Sequence, residues 1–338
     1  MIELDIGVVG LGKMGLNIAR NLSDHGHRAV GFDASAEACE CAKTSGIEVC
    51  TSLAALVEAL PQPRVLWVMV PCGEPTEACV TELLSLLDAG DVLIDAGNSH
   101  YRDSMRHADA AAERGVRFLD AGTSGGRSGA RNGACIMVGG DREAFDYVED
   151  ALRDLVVEEG LLYTGPAGSG HFMKMVHNGI EYGMMQAIGE GLEVLRSSAF
   201  DYDLAAVTHN WNHGSVVRGW LMELMEQQLR AHPDLEDIRG VVAASGEAKW
   251  TVEAALELEV PVPVIALSLM ARNATQIKDA FTAKAVSALR NGFGGHEYVG
   301  ADGRLTSGSA ANDAPTGGVP ASSVAASAVL SAVAPTEG

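Results

Sequence analysis

The chain has 338 residues, 47% of them hydrophobic. At roughly 150 residues per domain it holds about two domains with a sizeable core, which excludes wholesale disorder. Lysine and arginine number 24 against 45 aspartates and glutamates, a formal net charge of −21, which leaves no net cationic face for nucleic acid or an anionic membrane surface.

No apolar run reaches the ~20 residues of a membrane helix, and the N-terminus lacks the basic flank and cleavage site of a signal peptide. A soluble, cytoplasmic protein is expected. The acidic residues are dispersed, and the lysines are few: Lys13, Lys43, Lys174, Lys249, Lys278 and Lys284. Adaptation to a high-salt cytoplasm explains this pattern, because screening removes the self-repulsion of such a surface; an ordinary acidic enzyme is the alternative. The six cysteines, Cys39, Cys41, Cys50, Cys72, Cys79 and Cys135, show no paired metal-ligand spacing. Reduced, mostly buried thiols and no bound metal are expected.

In chain order the pattern reads strand Ile6–Val9, helix Leu16–His25, strand Ala29–Phe32, helix Ala36–Ser45 and a short strand Glu48–Cys50. Helix Leu53–Leu60 precedes the continuous apolar strand Val65–Val70, of the kind buried on both faces. Helix Glu74–Leu87, strand Val92–Asp95, helix Tyr101–Arg114 and strand Arg117–Asp120 follow. A glycine-dense loop Gly122–Gly133 leads to strand Cys135–Val138, helix Arg142–Leu155 and strand Leu161–Tyr163. Alternating strands and helices predict a doubly wound parallel sheet. From Ala167 to Leu289 only helical periodicity remains, with one long helix over Ala167–Ser198. The expected architecture is α/β: a Rossmann-like domain over 1–165, an all-helical domain over 166–300 for substrate and oligomerisation, and a disordered tail over 301–338 with a short helix near Ser322–Val333.

Gly10-Leu11-Gly12-Lys13-Met14-Gly15 is a G-x-G-x-x-G loop between the first strand and first helix. Glycines there allow a tight turn and close backbone approach to a pyrophosphate, and the helix N-terminus offers amides to the anion. Asp33 ends the second strand, near the ~20-residue spacing of a ribose-binding acid. Its carboxylate accepts from ribose hydroxyls and repels a 2′-phosphate, which favours NAD over NADP.

The second constellation lies on the long helix. At ~100° per residue from Lys174, His177 falls at about −60°, Glu181 at about −20°, Asn178 at about +40° and Tyr182 at about +80°. All five side chains share one face, with Met175, Val176 and Ile180 outside it. Desolvation lowers a lysine's pKa and makes it a usable base, and a carboxylate two turns on can tune it. The loops Asp95-Ala96-Gly97-Asn98-Ser99 and Asp120-Ala121-Gly122-Thr123-Ser124-Gly125-Gly126 both follow strands, so both open at the sheet edge where such folds bind ligands. Asn98, Ser124 and the adjacent amides suit a carboxylate or hydroxyls, although either segment could be an ordinary loop.

The set GLGKMG, WVMVP, DAGNS, GTSGG and HFMKMVHNGIEYGMMQ resembles the 6-phosphogluconate dehydrogenases, specifically their short form, within the β-hydroxyacid dehydrogenase superfamily. The resemblance spans Ile6 to Glu297. It implies oxidation and decarboxylation of 6-phospho-D-gluconate to ribulose 5-phosphate and CO2, a step of the pentose phosphate pathway, by a homodimer or homotetramer without a metal. It implies Lys174 as base and Glu181 as acid, with Gly10, Leu11, Gly12, Lys13, Met14, Gly15, Asp33, Val70 and Asn98 at the cofactor. Asn98, Ser124, Gly125, Gly126, His177 and Asn178 would position the sugar acid. Tyr182, Lys249, Arg272 and Arg290 would hold its phosphate, with Arg290 and His296 coming from a neighbouring subunit. Arg127-Ser128 depart from the acidic pair usual in long forms, and the tail after Ala301 has no counterpart. A non-decarboxylating β-hydroxyacid dehydrogenase would need Lys174 but not Glu181 or the phosphate cations. An inert NAD-sensing or scaffold protein would keep Gly10, Gly12, Gly15 and Asp33 and lose Lys174 or its partners.

Overall fold

The computed structural model describes residues 3–306. Residues up to Gln276 form one compact unit, and a second begins at Ile277. In the first, β1 (Asp5–Val9), α1 (Gly15–Asp24), β2 (Arg28–Phe32), α2 (Ala36–Thr44), β3 (Glu48–Val49) and α3 (Leu53–Glu58) come first. Then follow β4 (Val65–Val68), α4 (Glu74–Leu86), β5 (Val92–Asp95), α5 (Tyr101–Ala112) and β6 (Arg117–Ser124). α6 (Gly126–Asn132), β7 (Ala134–Gly140), α7 (Arg142–Asp154) and β8 (Val156–Gly165) complete the sheet. Helices alone follow: α8 (Ser169–Arg196), α9 (Leu204–Asn212), α10 (Trp220–Ala231), a 3-10 turn, α11 (Gly246–Glu257) and α12 (Pro263–Ala274). The second unit contains α13 (Phe281–Gly294) and a hairpin of β9 (Tyr298–Val299) and β10 (Leu305–Thr306).

Helix starts follow from capping residues. The side chains of Ser35, Ser52, Asp141 and Asp203 each accept a backbone N–H of the first turn that they open. Strand alternation then divides the core. Ile6, Val8, Val65, Trp67, Val92 and Ile94 pack on one face of the sheet, while Val9, Leu66, Val68 and Leu93 pack on the other. Helices cover both faces, which is why β4 reads as an unbroken apolar run.

The eight strands lie in the order β3-β2-β1-β4-β5-β6-β7-β8. The order reverses between β1 and β4, so a crevice opens there at the carboxyl ends of the strands, where doubly wound sheets bind ligands. The fold class is the expected one: a Rossmann-like α/β sheet followed by helices.

Three expectations are corrected. The sheet is not wholly parallel: β6 and β7 pair antiparallel, with Ser124 opposite Cys135. Their connection is too short for a parallel crossover, which needs a dozen or more residues. That connection is not only loop but contains α6, bracketed by Gly125 and Gly133, both at φ +119°. Its two glycines hide it from propensity, and tertiary contacts hold it: Asn21 Nδ2 donates to the Ala130 carbonyl at 3.3 Å, and Arg131 pairs with Asp24. Third, the cysteines are free but not buried: Cys41, Cys72 and Cys135 are exposed and the other three half-buried. Cys50 and Cys79 pack against the edge of the core, and Cys135 opens to the cleft beside α8. The hairpin β9–β10 lies where no strand is expected, and the helix expected near Ser322–Val333 falls outside the described residues.

Candidate active site

The glycine loop turns at Gly10, whose φ of +90° and closeness to the Met69 carbonyl leave no room for a side chain. A methyl on Gly15 would collide with the Gly10 carbonyl, so this glycine lets α1 start directly behind the turn. A methyl on Gly12 would meet nothing within 4 Å, so that face of the loop is open to an approaching ligand. Val70 packs beside Gly10, and its carbonyl lies beneath Gly97. Asp33 fixes the loop to β2: its carboxylate accepts the Leu11 N–H and the Ser35 N–H, each at 2.7 Å. Leu11 itself is buried under Gly31, so its amide and side chain both serve the fold. Lys13 is exposed, and Met14 reaches the large cleft.

The long helix α8 is anchored at its start by Asp120, at the core of β6. The fully buried carboxylate accepts the N–H groups of Gly168 and His171, both at 2.7 Å, and so satisfies the positive end of the helix. His171 Nδ1 lies 2.7 Å from Ser104 Oγ of α5. Contact with the sheet is close: a methyl on Gly122 would collide with Lys174 Cβ, and one on Gly170 would lie 2.6 Å from the Met137 carbonyl. These contacts set the rotation of α8 and therefore the direction of Lys174.

A cleft of about 1380 Å³ runs along this helix. It brings together Met14, Asn98, Ser124, Gly125, Gly126, Lys174, His177, Asn178, Glu181, Tyr182 and Arg272. Lys174 is buried, with 7% of its surface exposed. Burial pushes its pKa below the usual lysine value, against the opposing pull of Glu181, Glu247 and Cys135. His177 joins the two sides: its Nε2 is 3.1 Å from Ser124 Oγ, and its Nδ1 is 3.0 Å from Asn178 Oδ1 and 3.9 Å from a Glu181 oxygen. The Tyr182 hydroxyl accepts the Ser245 N–H at 3.1 Å and lies 2.9 Å from Ser245 Oγ. The Arg272 guanidinium stacks 3.4 Å from the centre of the Tyr182 ring.

Some expected residues lie elsewhere. Lys249 is exposed, 3.5 Å from Glu253, and is not on the cleft lining. Arg290 and His296 are exposed in the second unit, where Asn291 Nδ2 donates to the His296 carbonyl at 2.9 Å. Sequence reasoning missed Glu247 and Cys135 on the cleft wall and the anchoring task of Asp120. The Glu247 signal was present: it stands four residues before Thr251, hence on the same helix face.

Comparison with known proteins identifies the family. Residues 5–158 match the model for the NAD binding domain of 6-phosphogluconate dehydrogenase, and residues 170–297 match that for its C-terminal domain. The chain is 53% identical over 293 residues to YqeC of Bacillus subtilis, which carries a provisional 6-phosphogluconate dehydrogenase name; the match covers 87% of this chain and 98% of the relative. It is 42% identical over 301 residues to the NAD(+)-dependent, decarboxylating 6-phosphogluconate dehydrogenase of Haloferax volcanii, covering 88% and 100%. Among solved structures, Plasmodium falciparum 6-phosphogluconate dehydrogenase superposes with a TM-score of 0.75 at 30% identity, over 86% of this chain and 65% of that one.

Proposed function

The chain belongs to the 6-phosphogluconate dehydrogenase family, and from that premise we propose that it converts 6-phospho-D-gluconate to D-ribulose 5-phosphate and CO2, using NAD in preference to NADP. The observation that carries this reading is the buried Lys174, its pKa lowered by desolvation, on one face of α8 with His177, Asn178 and Glu181.

The residues present fit a dinucleotide. Gly12 leaves a face of the loop that any Cβ would occupy, and each Asp33 oxygen, holding one amide, has a lone pair left for a ribose hydroxyl. Positions 34 and 35 are Ala and Ser, with no cation to receive a 2′-phosphate. The cofactor, when bound, accepts the hydride from C3 of the substrate.

Lys174, neutral, takes the proton of the C3 hydroxyl as the hydride leaves. The 3-keto acid so formed is a β-keto acid and loses its carboxylate as CO2. Protonated Lys174 then donates to the C3 oxygen and stabilises the enediolate. Glu181 delivers the proton to the carbon that becomes C1 of the product. Ser124, held by His177, and Asn98, Gly125, Gly126 and Asn178 position the hydroxyls and the carboxylate. Arg272, already at the cleft on Tyr182, receives the phosphate. Lys249 would join by giving up its exposed pair with Glu253. Arg290 and His296 would complete the site of a neighbouring copy, so the working form is a homo-oligomer in the cytoplasm.

Purified protein given 6-phosphogluconate should release CO2 and reduced cofactor in equal amounts, with higher kcat/KM for NAD than for NADP. Reduced cofactor without CO2 would replace this reading by simple β-hydroxyacid oxidation. Higher kcat/KM with NADP would overturn the role given to Asp33.

A further inference from the structure

Glu247 opens α11 and has only 6% of its surface exposed. Its Oε2 is buried without a hydrogen-bond partner among the described residues. Burying a carboxylate with an unmade bond is costly, and its place in the first turn of α11 offsets only part of that cost. The register of α11 on α8 explains where the side chain goes. Thr251 Oγ1 donates to the Met175 carbonyl at 2.8 Å, and a methyl on Gly179 would lie 3.0 Å from the Thr251 side chain. The two helices are therefore locked beside Lys174 and Asn178. Thr251 Oγ1 also reaches the Glu247 carbonyl, one turn back at 2.9 Å, so Glu247 lies on the same face of α11. Its side chain ends on the lining of the cleft that contains Lys174.

We infer that Glu247 is a positioning residue for Lys174: a second carboxylate, supplied from outside α8, that supports the ammonium form of the lysine after it has taken the substrate proton. The inference deepens the proposed function and rests on the reading of Lys174 as the base. Burial alone would leave Lys174 a weak base and a poor cation. Two carboxylates on different helices oppose that loss, Glu181 from two turns along α8 and Glu247 across the α8–α11 contact. The open acceptor of Glu247 then lies on the same cleft lining as the ammonium that forms.

The other charged or titratable groups near the lysine are few. His177 and Tyr182 share its helix, Cys135 comes from β7, Glu159 from β8 and Arg272 from α12, all on the cleft lining. From β6, Asp120 is committed to the start of α8. α5 and α9 also pack on α8, but among the described residues neither contributes to the lining. Of these, Cys135 joins Glu181 and Glu247 in pulling the lysine upward.

The test measures the acetylation rate of Lys174 by acetic anhydride against pH, by mass spectrometry, without substrate. Glu247→Gln should shift the midpoint about one pH unit lower, in keeping with the loss of a nearby opposite charge. Glu247→Asp, which keeps the charge, should bring it back toward wild type. In the full reaction the acid limb of kcat/KM should move the same way, because Lys174 must be neutral to start. An unmoved acetylation midpoint overturns the proposal, even if activity falls. A shifted midpoint in a protein that does not turn over 6-phosphogluconate supports the coupling and rejects the function instead. Glu247→Gln removes an unpaired buried charge and is expected to fold; its melting temperature checks this.

Discussion

At the carboxyl end of β1 the ligand surface is mostly backbone. Gly10 and Gly15 make the turn, Gly12 leaves it open, and the carboxylate of Asp33 is tied to two amides. Along α8 the surface is side chains: Lys174, His177, Asn178 and Glu181, faced by Ser124 from β6 and Glu247 from α11. The first region spans about 20 residues of sequence; the second is assembled from segments far apart in the chain. A surface of backbone binds with little dependence on protonation. A surface of buried, interacting side chains stores reactivity, because each charge there is set by its neighbours.

The largest separation of the two regions is expected from Lys174→Ala. Losing a positioned base lowers turnover by ~10²–10⁴-fold. NAD binding, followed by calorimetry, should change little, since the glycine loop and Asp33 are untouched. A comparable loss in NAD affinity would show that the two regions are not independent. Gly122→Ala tests the same boundary from the sheet side. Its methyl would collide with Lys174 Cβ, so α8 must shift. A displacement of ~1 Å at a reacting group can lower the rate by about 10²-fold. Overpacking adds a stability loss of about 1–3 kcal/mol, readable from chemical denaturation. Full activity in Gly122→Ala would mean that the sheet contact does not aim the lysine.

This difference also explains what could be read in advance. The cofactor region announced itself because its determinants are local: a loop of glycines after an apolar strand, then an acid at a fixed interval. The face of α8 was equally legible, since helical spacing alone gathers Lys174, His177, Asn178, Glu181 and Tyr182. What crosses between elements was not. Asp120 looked like the start of a ligand loop, yet its carboxylate holds the N-terminus of α8. Glu247 stands in the same short run as Lys249, the residue that the family resemblance singles out for the phosphate. The helix turns Glu247 inward and Lys249 outward. The antiparallel β6–β7 pair was missed for a related reason: the glycines between them disguised a short helix as loop.

A smaller effect is expected at Asp33. Asp33→Asn keeps the shape, and the side-chain oxygen can still take one of the two amide bonds, but the charge is gone. The proposed preference for NAD should narrow by about tenfold or more, because the like-charge clash with a 2′-phosphate disappears. The ratio of kcat/KM values with the two cofactors reads this directly. An unchanged ratio would locate the discrimination elsewhere on the glycine loop.

The smallest effect, and the one that sets both regions against the outside of the molecule, is that of salt. The net charge of −21 is dispersed, and most ion pairs are exposed, such as Arg28 with Glu48 and Arg142 with Asp146. At 1 M salt the screening length is about 3 Å, so repulsion among surface carboxylates is largely removed. The folded state concentrates those charges more than the unfolded chain does and gains more from their screening. The melting temperature should therefore rise by several degrees between dilute buffer and molar KCl. Lys174 and Glu247 are buried on the lining of one cleft, so mobile ions screen their interaction less than they screen the surface pairs. The acetylation midpoint of Lys174 should thus hold nearly still while the melting temperature climbs. A flat or falling melting temperature would refute adaptation to high salt. A midpoint that moves with salt as strongly as the melting temperature would mean that the cleft is wet, and that its charges are governed by solvent rather than by each other.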